Sequence, residues 1–217
     1  MIIFKNVSKR YPDGYVALNN IDFTVESGEM VFLTGHSGAG KSTLLKLIAA
    51  IERPTSGTIT LSGQNIAQLK LGAIPYLRRK IGFIFQDHKL LFDRNVFDNV
   101  LFPLQISNFD SKTIAGRVRA ALDKVGLLKK EKAMPIALSG GERQRLCIAR
   151  AVVHRPSILI ADEPTGNLDI EYAQDIMSMF TSFNQVGVTV LIATHDASLL
   201  RDTEHRILSL KQGKLAV

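Results

Sequence analysis

The run MVFLTGHSGAGKS, residues 30–42, sets the tightest limit on how this chain can fold. A short apolar run without alternation is the pattern of a strand buried on both faces, at home inside a parallel sheet. Leu44, Leu45, Ile48 and Ile51 follow at helical spacing. Between strand and helix, Gly35, Gly38 and Gly40 surround the single cation of Lys41. So much bare backbone beside one lysine serves either a tight turn or a cradle for phosphate. The residues match G-x-x-x-x-G-K-[ST] in the strand–turn–helix setting that motif requires. A chance match in a chain of this length is about 1%. In such a cradle the backbone N–H groups and the helix N-terminus face the anion. Lys41 reaches the outer phosphates, and the Ser42 hydroxyl is a candidate magnesium ligand. Gly35, His36, Ser37, Gly38, Ala39, Gly40, Lys41 and Ser42 form the expected phosphate site.

Three further stretches bear on the chemistry. SILIADEP places Asp162 and Glu163 after an apolar strand, at the edge where open parallel sheets bind ligands. Asp162 is expected to orient the magnesium through water, and Glu163 to polarise the water that attacks the γ-phosphate. VTVLIATHD puts His195 just beyond another such strand, within reach of the same phosphate. In LSGGERQR, Ser139 and Glu142 have capping-box spacing. The box leaves Gly140 and Gly141 unexplained. Ser139, Gly140 and Gly141 expose N–H groups at a helix start, which makes a second anion site. One nucleotide does not obviously use both sites within one subunit, whereas two subunits packed head to tail could.

The rest of the chain supports one α/β domain over residues 1–217. Its 46% hydrophobic content supplies a core, and its 22% charged content is ordinary for a globular domain. Strand patterns fill the start (IIFKNV, IDFTVE, GTITLSGQNI), and IGFIFQD reads as another strand. A mostly helical middle spans roughly 96–135, with Ala115, Val118, Ala121, Leu122 and Val125 on one helical face. Strands and helices then alternate to a final hairpin, RILSL-KQG-KL. The expected architecture is a mainly parallel core sheet carrying an antiparallel β lobe and a helical subdomain over approximately 87–155. The net charge of +7 admits anionic partners of several kinds: nucleic acid, acidic lipid or a phosphorylated ligand. The basic runs, of which Arg78-Arg79-Lys80 is one of the densest, are too short for a nucleic-acid tail. The single cysteine, Cys147, rules out an intrachain disulfide and reads as a buried apolar side chain. No apolar run approaches the roughly 20 residues of a spanning helix, and the N-terminus does not read as a signal peptide.

Taken together, GHSGAGKS, the glutamine of IFQDH, LSGGERQR, ILIADE, GNLD and ATHD occur in the order of the ATP-binding-cassette (ABC) ATPases, and the chain resembles that family along its whole length. The resemblance implies a P-loop NTPase fold, ATP and Mg2+ as ligands, and hydrolysis of ATP to ADP and phosphate. It assigns Tyr11 to stacking on adenine, extends the phosphate site from Gly35 through Thr43, and assigns Gln86 to the loop that senses magnesium and the membrane partner. It makes Ser139, Gly140, Gly141 and Glu142 the signature that closes on ATP held by a second copy. Asp162, Glu163 and His195 take the magnesium, catalytic-base and switch positions, and Gly166-Asn167-Leu168-Asp169 lies at the dimer interface. The phrases TGHSGAGKS and FQDHKLLFDRNVFDNV are most similar to the cell-division ATPases of bacteria. Cassettes of lipoprotein release or macrolide export are the alternative. Either case implies a homodimer with two ATP, peripheral on the cytoplasmic face of the inner membrane through an integral membrane subunit. Other division proteins would be indirect partners, and nucleic acid is not expected. The docking surface is expected around residues 85–104, where Leu90, Leu91, Phe92, Val96, Phe97, Val100, Leu101 and Phe102 cluster.

Overall fold

The computed structural model describes residues 1–107, 109–166, 168–201 and 203–216, and the backbone but not the side chain of Ser198. Apolar alternation in the first third yields β1 (Ile2–Arg10) and β2 (Val16–Val25), paired antiparallel. β3 (Met30–Thr34) is the continuous apolar run, its first four residues buried. It feeds the phosphate loop and α1 (Lys41–Ile48). β4 (Ser56–Leu61) returns to pair antiparallel with β1, and β5 (Gln64–Asn65) extends that lobe. A 3-10 turn at 71–73 runs into the short α2 (Ile74–Arg78), then β6 (Ile81–Ile84). The helical middle holds α3 (Val96–Ile106), α4 (Ser111–Lys124) and the N-terminal part of α5 (Gly140–Val152). β7 (Ile158–Asp162), α6 (Ile170–Gln185), β8 (Thr189–Ala193), β9 (Arg206–Lys211) and β10 (Lys214–Leu215) complete the chain.

The core sheet has the order β10-β9-β3-β8-β7-β6. Its neighbours from β9 to β6 pair in parallel, and only the β9–β10 hairpin is antiparallel. The α/β reading therefore holds, with the antiparallel lobe β2-β1-β4-β5 beside it. Every residue of β7 and β8 is buried, as strands covered on both faces must be. One apolar cluster joins the β lobe and α1 to one sheet face, around Phe4, Leu45 and Ile160. The other joins α3–α6 to the opposite face, around Val100, Leu146 and Phe180.

Two local expectations need correction. The strand expected over IGFIFQD ends at Ile84, so Gln86 stands on an exposed turn rather than in the sheet. On α4, Ala115 is exposed and Ile114 packs against the core instead, which keeps the i, i+4, i+7, i+8 spacing with Val118, Ala121 and Leu122. Of the apolar residues expected at a docking surface, Leu90, Val96 and Val100 are core, while Phe92 is 57% exposed. The turn before α3 is held from inside by Asn99. Its fully buried amide accepts from Leu91 N–H and donates to the carbonyls of Leu91, Arg94 and Asn95.

Candidate functional site

The phosphate loop leaves β3 at its C-terminal end, where the parallel strands of the core sheet all terminate. Gly40 is the N-cap of α1, at φ 108°, with no side chain capping the helix. The first N–H groups of α1 thus have no side-chain competitor for an anion. Two of the glycines are dictated by neighbours as well as by φ. A Cβ on Gly40 would stand 2.5 Å from the Ala17 carbonyl oxygen, and one on Gly35 would stand 2.3 Å from that of Leu210.

Around this loop lies a cavity of about 720 Å³, lined by Gly35 through Thr43 together with Gln86, Glu163 and His195. The structure thus brings together residues from four separated stretches of sequence. Lys41 is buried; its ammonium donates to the Gly35 carbonyl at 2.7 Å and pairs with Glu163 at 3.4 Å. The second Glu163 oxygen accepts from the backbone N–H of His195 at 3.2 Å and meets its ring Nδ1 at 2.8 Å. Glu163 holds a left-handed backbone, φ 51°, a strain of about 1–3 kcal/mol for a non-glycine residue. That conformation comes with a hydrogen bond from its N–H to the Ala193 carbonyl, so β8 fixes where the carboxylate points.

Asp162 is the last residue of β7 and is buried. Desolvation raises the pKa of its carboxyl, and a hydrogen bond with the Ser42 side chain opposes the rise. Its Oδ1 has no hydrogen-bond partner. An orphaned buried carboxylate oxygen beside a serine hydroxyl is a hard oxygen donor pair and fits a magnesium ion carrying phosphate and water ligands.

Not every expected residue meets in this cavity. Tyr11 is not among the lining residues; its hydroxyl is bonded to Thr43 Oγ1 at 3.2 Å and to Glu52 at 3.0 Å. The aromatic on the cavity wall is Tyr15, half exposed, with its hydroxyl donating to the Gly38 carbonyl. The sequence offered Tyr15 only as a second tyrosine after the Asp13-Gly14 turn, with nothing to rank it above Tyr11. Ser209, Leu210 and Lys211 also line the cavity; the final hairpin was legible, but its closeness to the loop was not. Ser139, Gly140, Gly141 and Glu142 are absent from the cavity lining. They start α5, where Ser139 and Glu142 form the expected capping box and Lys130 pairs with Glu142. Gly141 lies against the Tyr172 ring, where a Cβ would come within 2.8 Å. Asp169 also stays outside, as the N-cap of α6, accepting from the Tyr172 N–H. Asn167 lies outside the described residues.

The turn that carries Gln86 is fastened to α5. His88 and Lys89 are left-handed, and Arg150 donates to both of their carbonyls. Cys147, buried with its thiol pushed up to about 12, also contacts the His88 carbonyl. The helix that begins at Ser139 therefore holds the turn that brings Gln86 to the cavity.

A family model described as ABC transporter matches residues 18–166. This chain belongs to the ABC transporter family. It is an ATPase of that type, built as an ATP-binding cassette. The cell division ATP-binding protein FtsE of Escherichia coli K12 is 58% identical to the cassette over 215 residues, covering 99% of this chain and 97% of the relative. That of Bacillus subtilis is 44% identical over 98% of this chain and 93% of the relative. Among solved structures, the dimeric cassette MJ0796 in a post-hydrolysis state with ADP and Pi superposes with a TM-score of 0.92 at 34% identity, covering 100% of this chain and 97% of that one.

Proposed function

We propose that this cassette is the ATP-hydrolysing subunit of a bacterial cell-division complex, held to the cytoplasmic face of the inner membrane by an integral membrane subunit of the FtsX kind. The observation that carries the reading is the 58% identity to a cell-division ATP-binding protein across nearly the full length of both chains. Among the described residues no helix is long and apolar enough to cross a membrane. A groove of about 560 Å³ between α2, β6 and α3 suits the membrane subunit, with Phe83, Phe85, Leu91 and Phe102 on its walls beside the Gln86 turn. The exporter alternative, lipoprotein release or macrolide export, lacks comparable support, since the relatives compared above bear the cell-division name.

In the proposed mechanism the loop N–H groups and the α1 N-terminus hold the ATP phosphates, and Lys41 turns from Glu163 to the outer phosphates. Ser42 and Asp162 would hold Mg2+, which neutralises phosphate charge when bound. Tyr15, or Tyr11 beside it at 6.3 Å between ring centroids, faces the base. Glu163 accepts the proton of the attacking water, while His195 and Gln86 fix that carboxylate and the γ-phosphate. Ser139, Gly140, Gly141 and Glu142 are remote from the cavity and close it from a second copy, with Asp169 at the seam. Two ATP are thus sandwiched in a head-to-tail dimer, an arrangement in keeping with the dimeric MJ0796 cassette. Hydrolysis would be transmitted through the membrane subunit to cell-wall hydrolases. Capture of tagged Glu163→Gln protein from native membranes tests the reading. Recovery of an FtsX-like subunit with division proteins is expected, and recovery of an exporter permease in its place would overturn the cell-division assignment.

A further inference from the structure

Residues 53–86 contain no aspartate or glutamate and five cations, Arg53, Lys70, Arg78, Arg79 and Lys80. Two of these are structural. Arg53 donates to the carbonyls of Ala67 and Leu69, and Arg78 to those of Ala49 and Ala50. The other three, among the described residues, pair with no carboxylate. Lys70 and Lys80 are exposed, and the Arg79 guanidinium lies 4.9 Å from the Tyr76 ring centroid. Between them, Leu71 is 79% and Tyr76 64% exposed. Across the 3-10 turn at 71–73 and α2, Leu71, Gly72, Pro75, Tyr76 and Lys80 are exposed and Arg79 is half-buried, while Leu77 is buried in the core.

We propose that residues 70–80 form a contact surface for an anionic lipid bilayer, with Leu71 and Tyr76 entering the headgroup layer and Lys70, Arg79 and Lys80 meeting lipid phosphates. An exposed aliphatic and an exposed tyrosine flanked by unpaired cations, with no nearby acid in sequence, is the composition of an interfacial membrane segment. A nucleic-acid surface would use the cations but has no use for Leu71. The location agrees: Pro75, Arg78 and Arg79 border the groove assigned to the membrane subunit, so the patch faces the side on which that subunit sits. Only this orientation rests on the docking reading. The charge and the exposure stand without it.

The test uses the full chain alone, floated with vesicles of phosphatidylcholine, with and without phosphatidylglycerol. Binding is expected only to the anionic vesicles. Each cation near such a surface is worth roughly fivefold in partitioning. Lys70→Glu with Lys80→Glu should therefore weaken binding by at least about tenfold. Leu71→Ser with Tyr76→Ser should also weaken it by about tenfold, through lost apolar burial. ATP hydrolysis and melting temperature should stay unchanged in both variants, which separates loss of the surface from misfolding. No binding to anionic vesicles, or binding indifferent to either pair, would overturn the proposal. So would binding that depends on the cations alone and is matched by a DNA duplex. Since no membrane subunit is present, failure here would leave the docking groove standing, and a failed capture from membranes would leave this result standing.

Discussion

Replacing Glu163 by glutamine separates two jobs that the structure gives one carboxylate. Glu163 is the charge partner of Lys41, at 3.4 Å, with both side chains less than 10% exposed. In hydrolysis it is the candidate base. Glutamine keeps the shape and an oxygen to accept from the His195 N–H, but loses the charge and the basicity. Removing a general base costs about 10²–10⁴ in rate, roughly 3–5 kcal/mol of barrier. Breaking a buried ion pair costs about 3–5 kcal/mol when nothing else compensates. Here Lys41 is not left bare, since it keeps its 2.7 Å bond to the Gly35 carbonyl and the glutamine oxygen can still accept from it, so the loss falls below that range. A net loss of about 1–2 kcal/mol follows, which lowers the melting point of the nucleotide-free variant by about 2–8 °C in a chain of this size. With ATP bound, the phosphates replace the carboxylate as partner of Lys41, so the deficit should vanish. The variant should therefore show a larger ATP-induced rise in melting temperature than the parent, together with almost no turnover. Scanning fluorimetry with and without ATP and magnesium reads the first, and single-turnover hydrolysis the second. An equal rise in both proteins would refute the pairing argument. Hydrolysis within tenfold of the parent would refute Glu163 as the base.

Asp162→Asn removes a buried charge whose pKa desolvation already raises, so the nucleotide-free chain should gain about 1–2 kcal/mol while magnesium-dependent hydrolysis is lost; a lower melting temperature would contradict this. Gly35→Ala drives a Cβ to 2.3 Å from the Leu210 carbonyl at φ 151° and should cost about 2–5 kcal/mol, whereas Gly38→Ala, with open space and φ 78°, should cost about 1–2, a contrast that urea midpoints can check. His154 is held below its ordinary pKa by desolvation, partly offset by its hydrogen bond to the Ile81 carbonyl. The unfolded chain then binds this proton more readily, so the contribution is present above about pH 6.5 and is lost as pH falls through that value. Acid unfolding of His154→Gln should show a weaker stability decline below about pH 6.5, and an unchanged profile would count against the assignment.

Much of the site was legible because its parts are local in sequence. Strand, glycine-rich turn and helix follow one another within residues 30–48, and their order alone specifies a phosphate cradle. Buried parallel strands announce themselves as MVFLT, ILIAD and TVLIA, since a strand covered on both faces has no polar alternation to display. Tyr15 was not legible as the wall of the cavity, because Tyr11 and Tyr15 differ only in which way a four-residue turn carries them. The exposure of Ala115 and the packing of Ile114 escaped for a similar reason, since one residue of helical phase turns a side chain by about 100°.

The sequence by itself determined the chemistry, because phosphate binding and water activation demand particular residue types at fixed spacing along a strand–turn–helix. Only the tertiary structure decided which of those residues meet. Parallel pairing of β3, β7 and β8 delivers Lys41, Glu163 and His195 to one sheet edge, although more than 120 residues separate the first from the second. The same packing keeps Ser139 to Glu142 out of that cavity. These placements arise from long-range strand register and helix packing, which no stretch of local sequence encodes.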